Sequence, residues 1–405
     1  MKPIVRAGRM KPVHSDIRGP LFVEAMKRQK QGIDILKLNT GNPATFGFGL
    51  PDSIKNALME HMQDGVGYCD FKGMPQARQA ICDYETSKGI KGITPDDVFI
   101  GNGVSEVVSF ALTPLLNDGD EVLVPSPSYS LWGNSVYLED GKPVFYTCDE
   151  QANWYPDIQD IRSKITDKTK AIVIINPNNP TGVLYPKEIL LEIIQVAREF
   201  DLLIFADEIY DRLVMDGKQH ISLASLTEDV PVITLNGLSK SHCLCGYRCG
   251  WMVISGPREL TEDYRQGIIQ LTSLRLCANT MAQIVIPAAL DDMETPASMI
   301  RPGGRIYEQR EATVRELEKI NGLSFVKNDA AFYVFPKLDV KKFNITNDKQ
   351  FAHDLLDATN ILLVPGSGFD WKDPDHFRIV MLPQADVLSD AIRRMGTFLD
   401  GYKQK

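Results

Sequence analysis

Three stretches decide the fold: Ala171-Ile172-Val173-Ile174-Ile175, Leu202-Leu203-Ile204-Phe205 and Val232-Ile233-Thr234-Leu235. Each is short and predominantly apolar. Between the first two, residues 186–200 carry apolar side chains at helical spacing. Strands that are apolar on both faces and alternate with helices are typical of a parallel sheet covered by helices. The pattern therefore predicts an α/β core.

The same alternation extends outward to about residues 95 and 255. Three further runs have the same character: Val98-Phe99-Ile100, Glu121-Val122-Leu123-Val124 and Trp251-Met252-Val253-Ile254. After about residue 300 the pattern changes to a long helix, predicted at 304–320, followed by short strands mixed with helices. Strands and helices mixed at both chain ends predict a second, smaller α+β lobe.

Length and composition bound the class of protein. A chain of 405 residues exceeds the ~250–300 residues over which one core keeps growing, so at least two lobes are expected. A net charge of -9 argues against a nucleic-acid partner, which needs a basic face. No apolar run reaches the ~18–20 residues that span a bilayer, and residues 1–11 do not resemble a signal peptide. We therefore expect a cytoplasmic protein without a membrane partner.

The seven cysteines are an odd number without regular spacing, so we expect free thiols. Cys243, Cys245 and Cys249 cluster, but the spacing is not CxxC and no histidine pair follows. No metal site is therefore predicted.

Ligands of an open α/β sheet bind beyond the carboxyl ends of its strands. After the run at 98–100 come residues 101–106, with a helix predicted to run on from Val107. Small residues at a helix start can bind an anion, although Ser105 with Glu106 would equally serve to cap the helix. The other strand ends carry polar or aromatic groups of different kinds: Tyr129, Asn179, Asp207, Tyr210, Lys240 and Arg248.

A dinucleotide fingerprint, GxGxxG, is the alternative interpretation of residues 101–106. Glu106 stands where the third glycine is required, and the acidic pair Asp120-Glu121 precedes the next strand instead of ending it. A nicotinamide dehydrogenase is thereby disfavoured. A phosphorylated aromatic aldehyde needs the whole set of strand-end groups: phosphate donors, an aromatic face, an acid opposite the ring nitrogen and an amine.

Ser239-Lys240 followed by Gly246-Tyr247-Arg248-Cys249-Gly250 resembles the fold-type-I pyridoxal-phosphate aminotransferases of class I/II. Residues 176–182 and 207–210 support the resemblance. Within the family the chain is most similar to bacterial alanine (glutamate–pyruvate) aminotransferases, also at residues 37–43 and 67–70. The resemblance implies pyridoxal phosphate as cofactor and transfer of an amino group from an L-amino acid, alanine, to a 2-oxo acid, 2-oxoglutarate.

The resemblance also implies a role for each matched residue. Lys240 would form the Schiff base, Asp207 would pair with the ring nitrogen, and Tyr210 would complete the catalytic set. The further residues around the cofactor would be Ser105, Glu106, Tyr129, Asn179, Ser239 and Arg248. The substrate would contact Gly41, Asn179 and Arg378. Gly237 stands where many members carry a serine, so one phosphate donor is expected to be absent.

A homodimer is implied as well, in which Tyr68 reaches the neighbouring subunit's phosphate. The implied fold is a large domain with a mostly parallel seven-stranded sheet, plus a smaller α+β domain built from both termini. We expect an N-terminal arm with part of the small domain at 1–45, the large cofactor-binding domain at 46–295 and the small C-terminal domain at 296–405.

Two alternatives share the fold. A carbon–sulfur β-lyase uses the same cofactor residues, and only the subgroup resemblance at Gly41 and Tyr68 favours transamination. A transcription regulator of this fold carries a helix-turn-helix domain. It is disfavoured because only about forty residues precede the match at 37–43 and the net charge is negative.

Overall fold

The computed structural model describes residues 2–405. The strands are β1 (Leu36–Lys37), β2 (Val98–Asn102), β3 (Glu121–Ser126), β4 (Lys142–Asp149), β5 (Tyr155–Pro156), β6 (Thr169–Ile175), β7 (Leu203–Asp207), β8 (Val232–Gly237), β9 (Cys249–Ser255), β10 (Leu323–Ser324), β11 (Tyr333–Val334), β12 (Lys337–Leu338), β13 (Ile361–Leu362), β14 (Val364–Pro365) and β15 (Phe377–Val380).

The α-helices are α1 (Pro20–Lys30), α2 (Asp52–His61), α3 (Pro75–Ser87), α4 (Val104–Leu112), α5 (Leu131–Leu138), α6 (Ile158–Lys164), α7 (Lys187–Glu199), α8 (Leu238–Ser241), α9 (Arg258–Arg275), α10 (Thr280–Ile284), α11 (Ile286–Asp291), α12 (Glu294–Ile300), α13 (Arg305–Leu317), α14 (Val340–Phe343), α15 (Asp348–Thr359) and α16 (Ala385–Asp400).

In the described part of the chain, the main sheet has the strand order β2-β9-β8-β7-β6-β3-β4-β5. Strands β4, β3, β6, β7 and β8 pair in parallel in that order. β9 runs antiparallel between β2 and β8, and β5 pairs antiparallel with the edge of β4. Seven strands have five to eight residues, and β5 adds two. The predicted α/β class with a mostly parallel sheet is confirmed.

Apolar side chains on both faces explain the central strands. In β6 every residue from Ala171 to Ile175 is buried. α7 covers the sheet with an apolar stripe that includes Leu190, Ile193 and Ile194. Full burial of one such side chain contributes about 1.5–3 kcal/mol, so the stripe fixes how the helix packs. The helix predicted at 186–200 is confirmed to within one residue at each end.

The start of α4 differs from the prediction. The helix begins at Val104, three residues before the expected Val107. Gly103, with φ of 84°, takes the N-cap position and lets the chain turn directly from strand to helix. The Glu106 carboxylate accepts the backbone N–H of Asn102 at 2.7 Å, which closes the turn. The helix start therefore lies nearer to the end of β2 than the sequence indicates.

β4 was not among the predicted apolar runs. Its burial is interrupted, with exposed Lys142 and Asp149 at the two ends. The strand lies near the edge of the sheet, between β3 and the two-residue β5. A half-covered strand of this kind lacks the continuous apolar run by which the central strands are predicted.

Both ends of the chain contribute to a second unit. β1 pairs in parallel with β13, and β11, β15 and β14 form a small antiparallel sheet. Leu38 is buried in one core with side chains of α13, α15 and α16. The predicted α+β lobe built from both termini is confirmed, and its expected boundaries near residues 45 and 295 stay predictions.

No single helix within residues 2–405 is long and apolar enough to cross a membrane. One pair, α9 with residues Thr280–Asp291, meets the criteria of length and composition together, but it is bent by 118°.

We predict that Gly250→Ala destabilises the protein. A Cβ at Gly250 would lie 2.6 Å from the carbonyl carbon of Gly103 and would overlap the backbone at Val104, where β9 packs against the start of α4. Backbone cannot move as a flexible side chain can, so the free energy of unfolding should fall by about 1–3 kcal/mol. Urea denaturation measures this change.

Gly246→Ala is the matched control, because a Cβ there meets no described atom within 4 Å. Its effect should stay within about 0.5 kcal/mol. Equal stability of the two variants would contradict the close packing of Gly250.

Candidate active site

The predicted strand-end residues converge on one region. Asp207 ends β7, Lys240 lies in α8 directly after β8, and Asn179 follows β6. Arg378 reaches the same region from β15, and its Nη1 donates to the Asn179 side-chain oxygen at 3.0 Å. Lys240 Nζ donates to the carbonyl oxygen of Gly41 at 3.0 Å. The site therefore joins the main sheet to both terminal segments.

Asp207 is a buried carboxylate, 5% exposed. Trp132 Nε1 donates to its Oδ2 at 3.1 Å, and the N–H of Ile209 donates to Oδ1 at 3.3 Å. Burial raises the pKa of Asp207 to about 6, although these two hydrogen bonds oppose the shift. No basic side chain among residues 2–405 lies within ion-pair distance of Asp207. The carboxylate lacks the cation that would stabilise its charge.

Arg378 is a buried guanidinium, 1% exposed. Its planar group lies between the rings of Tyr333 and Phe369, 4.6 Å from each centroid. Nη2 donates to the carbonyl oxygen of Asn39, and Nε has no partner in the described structure. Burial lowers the pKa of Arg378. Within residues 2–405 no carboxylate pairs with it, so the site has room for the carboxylate of a ligand.

Of the three predicted phosphate donors, Ser105 and Arg248 lie at the start of α4, and Ser239 lies in α8. Ser105 is exposed in the first helical turn, Ser239 is 9% exposed, and Arg248 packs its guanidinium against Gly103. A Cβ at Gly103 would lie 2.7 Å from Arg248 Cζ, and the φ of +84° there favours glycine in any case. A helix N-terminus with hydroxyl groups and a guanidinium is a site for a phosphate.

Glu106 is at the predicted position, but its carboxylate is engaged in holding the turn. It forms an ion pair with Arg275 at 2.6 Å and accepts hydrogen bonds from Asn102. A carboxylate in these contacts is unsuited to bind a phosphate directly. The sequence allowed two interpretations of this segment: an anion site, or a helix cap formed by Ser105 with Glu106. In the structure Glu106 closes the turn, and Ser105 is not the N-cap residue.

Tyr210 and Tyr129 lie in the site, and Tyr68 does not. Tyr210 is buried, and its hydroxyl donates to that of Tyr333 at 3.0 Å. Tyr129 is half-buried and lies close to the Lys240 amine and the Arg378 guanidinium. Tyr68 is 84% exposed on the surface. Within a single chain Tyr68 therefore has no contact with the other predicted residues.

Tyr333 and Trp132 belong to the site but were not predicted from the sequence. Tyr333 lies between Tyr210 and Arg378, and its hydroxyl would overlap a Cβ at Gly41. Trp132 bonds Asp207 from α5. The only signal for Tyr333 was a hydroxyl in an otherwise apolar predicted strand, and Trp132 gave none.

Asp207 and Arg378 are buried, Lys240 is half-buried beside them, and none of the three has an ion-pair partner in the described structure. Burying a charge is costly unless it is paired, so such a set is typical of a site built for a charged ligand. The acid, the amine and the phosphate donors fit the phosphorylated aromatic aldehyde expected from the sequence, and Arg378 fits a carboxylate.

The seven cysteines are free, and Cys245 Sγ donates to the carbonyl oxygen of Ser239 at 2.9 Å.

Comparison with known proteins gives matches over the whole chain. Residues 33–394 match the family described as aminotransferase class I and II. The chain is 50% identical over 404 residues to a glutamate-pyruvate aminotransferase of Haemophilus influenzae, covering 100% of both. The structure is similar to an aminotransferase from Escherichia coli (TM-score 0.98, 47% identity, 100% of both chains). It is also similar to an alanine aminotransferase from Pyrococcus furiosus (TM-score 0.93, 40% identity, 98% and 100% covered).

We predict that Asp207→Asn stabilises the ligand-free protein above about pH 6. A carboxyl whose pKa is raised in the folded state binds more protons than in the unfolded state, so its contribution to stability falls as pH rises from 3.8 to about 6. This shift corresponds to about 3 kcal/mol.

The measurement is urea denaturation of both proteins at about pH 4.5 and about pH 7.5, which spans most of this range. The variant should gain about 2 kcal/mol relative to the wild type between the two conditions, because at pH 4.5 part of the shift has already been passed. If the difference in unfolding free energy between the variant and the wild type were the same at both pH values, burial would not raise the pKa of Asp207.

Proposed function

Because this chain belongs to the aminotransferase class I and II family and is an aminotransferase, we propose that it exchanges an amino group between L-alanine and 2-oxoglutarate, with pyridoxal phosphate on Lys240. One observation carries the proposal: a half-buried amine, a buried acid and a buried guanidinium lie in one site without ion-pair partners in the described structure. The relatives named glutamate-pyruvate and alanine aminotransferase support the choice of substrates.

Each residue has a task that follows from its position. Asp207 would keep a proton on the ring nitrogen, because an adjacent carboxylate raises the pKa of that nitrogen. Asn179 and Tyr210 would hydrogen-bond the ring oxygen, and Tyr129 would stack on the ring. Bound pyridoxal phosphate supplies an electron sink for the electron pair left when the substrate's α-proton departs.

The acid–base work would fall to Lys240. Its amine donates to the carbonyl oxygen of Gly41, and Arg378 donates to Asn39 of the same segment, so both would face a substrate bound beside that segment. Bidentate binding by Arg378 would orient the Cα–H bond toward the amine. Once the substrate's amino group has taken its place on the aldehyde, the freed amine of Lys240 would take the proton from Cα and later return it.

A carbon–sulfur β-lyase is the second candidate on this fold, and the comparisons do not favour it, because the similar full-length relatives are aminotransferases. The two activities differ in their need for an acceptor. A lyase releases pyruvate from a cysteine-type substrate without any 2-oxo acid, whereas transamination requires one.

We predict that the purified protein converts L-alanine and 2-oxoglutarate to pyruvate and L-glutamate. Lys240→Ala should lower the turnover by at least about 10⁴-fold, because both the covalent attachment and the proton transfer are lost. Coupled detection of pyruvate measures turnover. Borohydride reduction followed by mass spectrometry tests whether the cofactor is attached to Lys240.

Lys218→Ala is the matched control, since that lysine is half-exposed in an ion pair with Asp329 and is not among the proposed site residues. It should keep its activity. Retained turnover and cofactor attachment in Lys240→Ala would reject the assignment of Lys240.

We further propose that the chain is a homodimer, supported by an exposed apolar surface beside the phosphate site. The surface is defined by six exposed side chains: Met59, Met62, Val66, Tyr68, Leu274 and Leu276. Its two parts are joined by a hydrogen bond from Thr280 Oγ1 to the carbonyl oxygen of Gly65 at 2.7 Å. Such patches are rare on monomers, so a second copy would cover this one.

The seven free cysteines support a reducing, cytoplasmic location.

The position of this surface supports the expected role of Tyr68. Arg275, between two members of the surface, forms the 2.6 Å ion pair with Glu106 at the start of α4. A partner bound here would therefore bring its own Tyr68 near the phosphate donors of this chain.

We predict a dimer in sedimentation experiments, and Leu274→Glu should shift it toward monomer with loss of activity, because a buried unpaired charge opposes association. Leu260→Glu is the control. Leu260 is also exposed on α9, about 21 Å from Leu274 along the helix axis, and its variant should stay dimeric. A fully active monomer would contradict the role of Tyr68.

A further inference from the structure

A cluster of buried charges lies against the turn that carries Asp207. We define the Lys88 cluster as Glu85, Lys88, Glu208 and Asp211. The ammonium of Lys88 is 2.7 Å from Glu85 Oε2, 2.8 Å from Glu208 Oε2 and 3.2 Å from Asp211 Oδ2. The carboxylates are almost fully buried, with 0%, 2% and 4% of these side chains exposed.

The three carboxylates differ in the hydrogen bonds that they accept from Lys88. Lys88 donates hydrogen bonds to Glu208 and Asp211, whereas its contact with Glu85 Oε2 lies outside hydrogen-bond geometry. Burial raises the pKa of Glu85 even with Lys88 beside it. The pKa of Asp211 is lowered despite burial, because Lys88 and other donors outweigh it. The ammonium therefore donates hydrogen bonds to Glu208 and Asp211 and makes an ionic contact with Glu85.

Glu208, Asp211 and His220 are close enough together to suggest a metal site. Lys88 Nζ already lies within hydrogen-bond distance of both carboxylates. Burial also lowers the pKa of His220, whose Nε2–H donates to the carbonyl oxygen of Asn176. The protein thus supplies its own cation here.

The cluster contacts the segments that carry the proposed active-site residues. Glu208 and Asp211 alternate with Asp207 and Tyr210 along one turn. Asn236 Nδ2 donates to Asp211 Oδ2 at 2.7 Å, and this contact holds the end of β8, four residues before Lys240. One lysine at the end of α3 is therefore connected to both the acid and the amine of the site.

We propose that Lys88 is a positioning residue for the transamination, which holds the 207–211 turn and the end of β8 so that Asp207 and Lys240 face the same ligand. This inference rests on the proposed function of the site. Lys88 touches neither substrate nor cofactor in this arrangement. Its effect would pass through Glu208, Asp211 and Asn236.

Lys88→Met tests the proposal in the cofactor-loaded enzyme, because methionine keeps the length of the side chain without its charge. A displaced Asp207 should change the visible absorbance band of the bound cofactor. The misplacement should lower kcat roughly 10- to 100-fold. The KM for alanine should change less than about threefold, since Arg378 is not part of the cluster.

Lys88→Arg is the rescue variant, which restores the charge and should recover most of the lost kcat together with the wild-type absorbance band. Lys91→Met is the matched control. Lys91 is three residues away in an exposed ion pair with Glu228, and its variant should leave kcat, KM and the spectrum unchanged.

A second variant covers the case in which Lys88→Met does not fold. Lys88→Gln combined with Glu208→Gln removes one positive and one negative charge and keeps hydrogen-bonding groups at both positions. A folded double variant with reduced kcat and an altered spectrum supports the proposal. Wild-type kcat and spectrum in either folded variant overturn it.

The two levels of inference fail in different ways. If the wild type neither binds pyridoxal phosphate nor turns over alanine, the proposed function is wrong. If the wild type is active and Lys88→Met is equally active with the same spectrum, only the positioning role is wrong. A lower Tm with unchanged kcat and spectrum also overturns the positioning role, because it shows that Lys88 only stabilises the fold.

Discussion

The structure depends on how it accommodates a carboxylate at the end of a buried strand. Asp207 ends β7 with 5% of its surface exposed. This burial raises its pKa to about 6, and no described cation is paired with it. Hydrogen bonds from Trp132 and from the backbone N–H of Ile209 reduce the cost of burying this charge but do not remove it. A carboxylate kept in this state is ready to pair with a cationic ligand group, which an internal ion pair would prevent.

The same constraint explains why both chain ends are needed. β1 pairs with β13, and this pairing brings the segment with Asn39 and Gly41 next to β15 and Arg378. Gly41 accepts from Lys240, and Tyr333 fills the space that a side chain at Gly41 would require. The main sheet supplies the acid and the amine, and the terminal unit supplies the guanidinium. Neither unit contains the whole candidate site, so the packing between them is needed to assemble it.

The sequence predicted well what depends on local periodicity and on strand ends. β6, β7 and β8 are apolar on both faces, and the residues after them were expected to converge because parallel strands end at one edge. It could not predict Tyr333, Trp132 or Lys88, whose side chains form hydrogen bonds to residues 75 to 123 positions away in the chain. Such contacts arise from tertiary packing, about which hydrophobic spacing carries no information. The early start of α4 was missed for a related reason, because the turn is closed by the Glu106 side chain.

Charged residues at the Lys88 cluster are not explained by stability alone, since apolar side chains of equal volume often stabilise a buried site as well or better. Apolar contacts, unlike hydrogen bonds, do not fix the orientation of the groups that they join. Asp211 Oδ2 accepts from Tyr84 on α3 at 2.6 Å, from Lys88 at 3.2 Å and from Asn236 on β8 at 2.7 Å. Three donors on one oxygen fix the distances between a helix end, a turn and a strand end more tightly than shape alone. A site in which an acid and an amine must face one ligand requires this kind of constraint, and the buried ions behind the turn provide it.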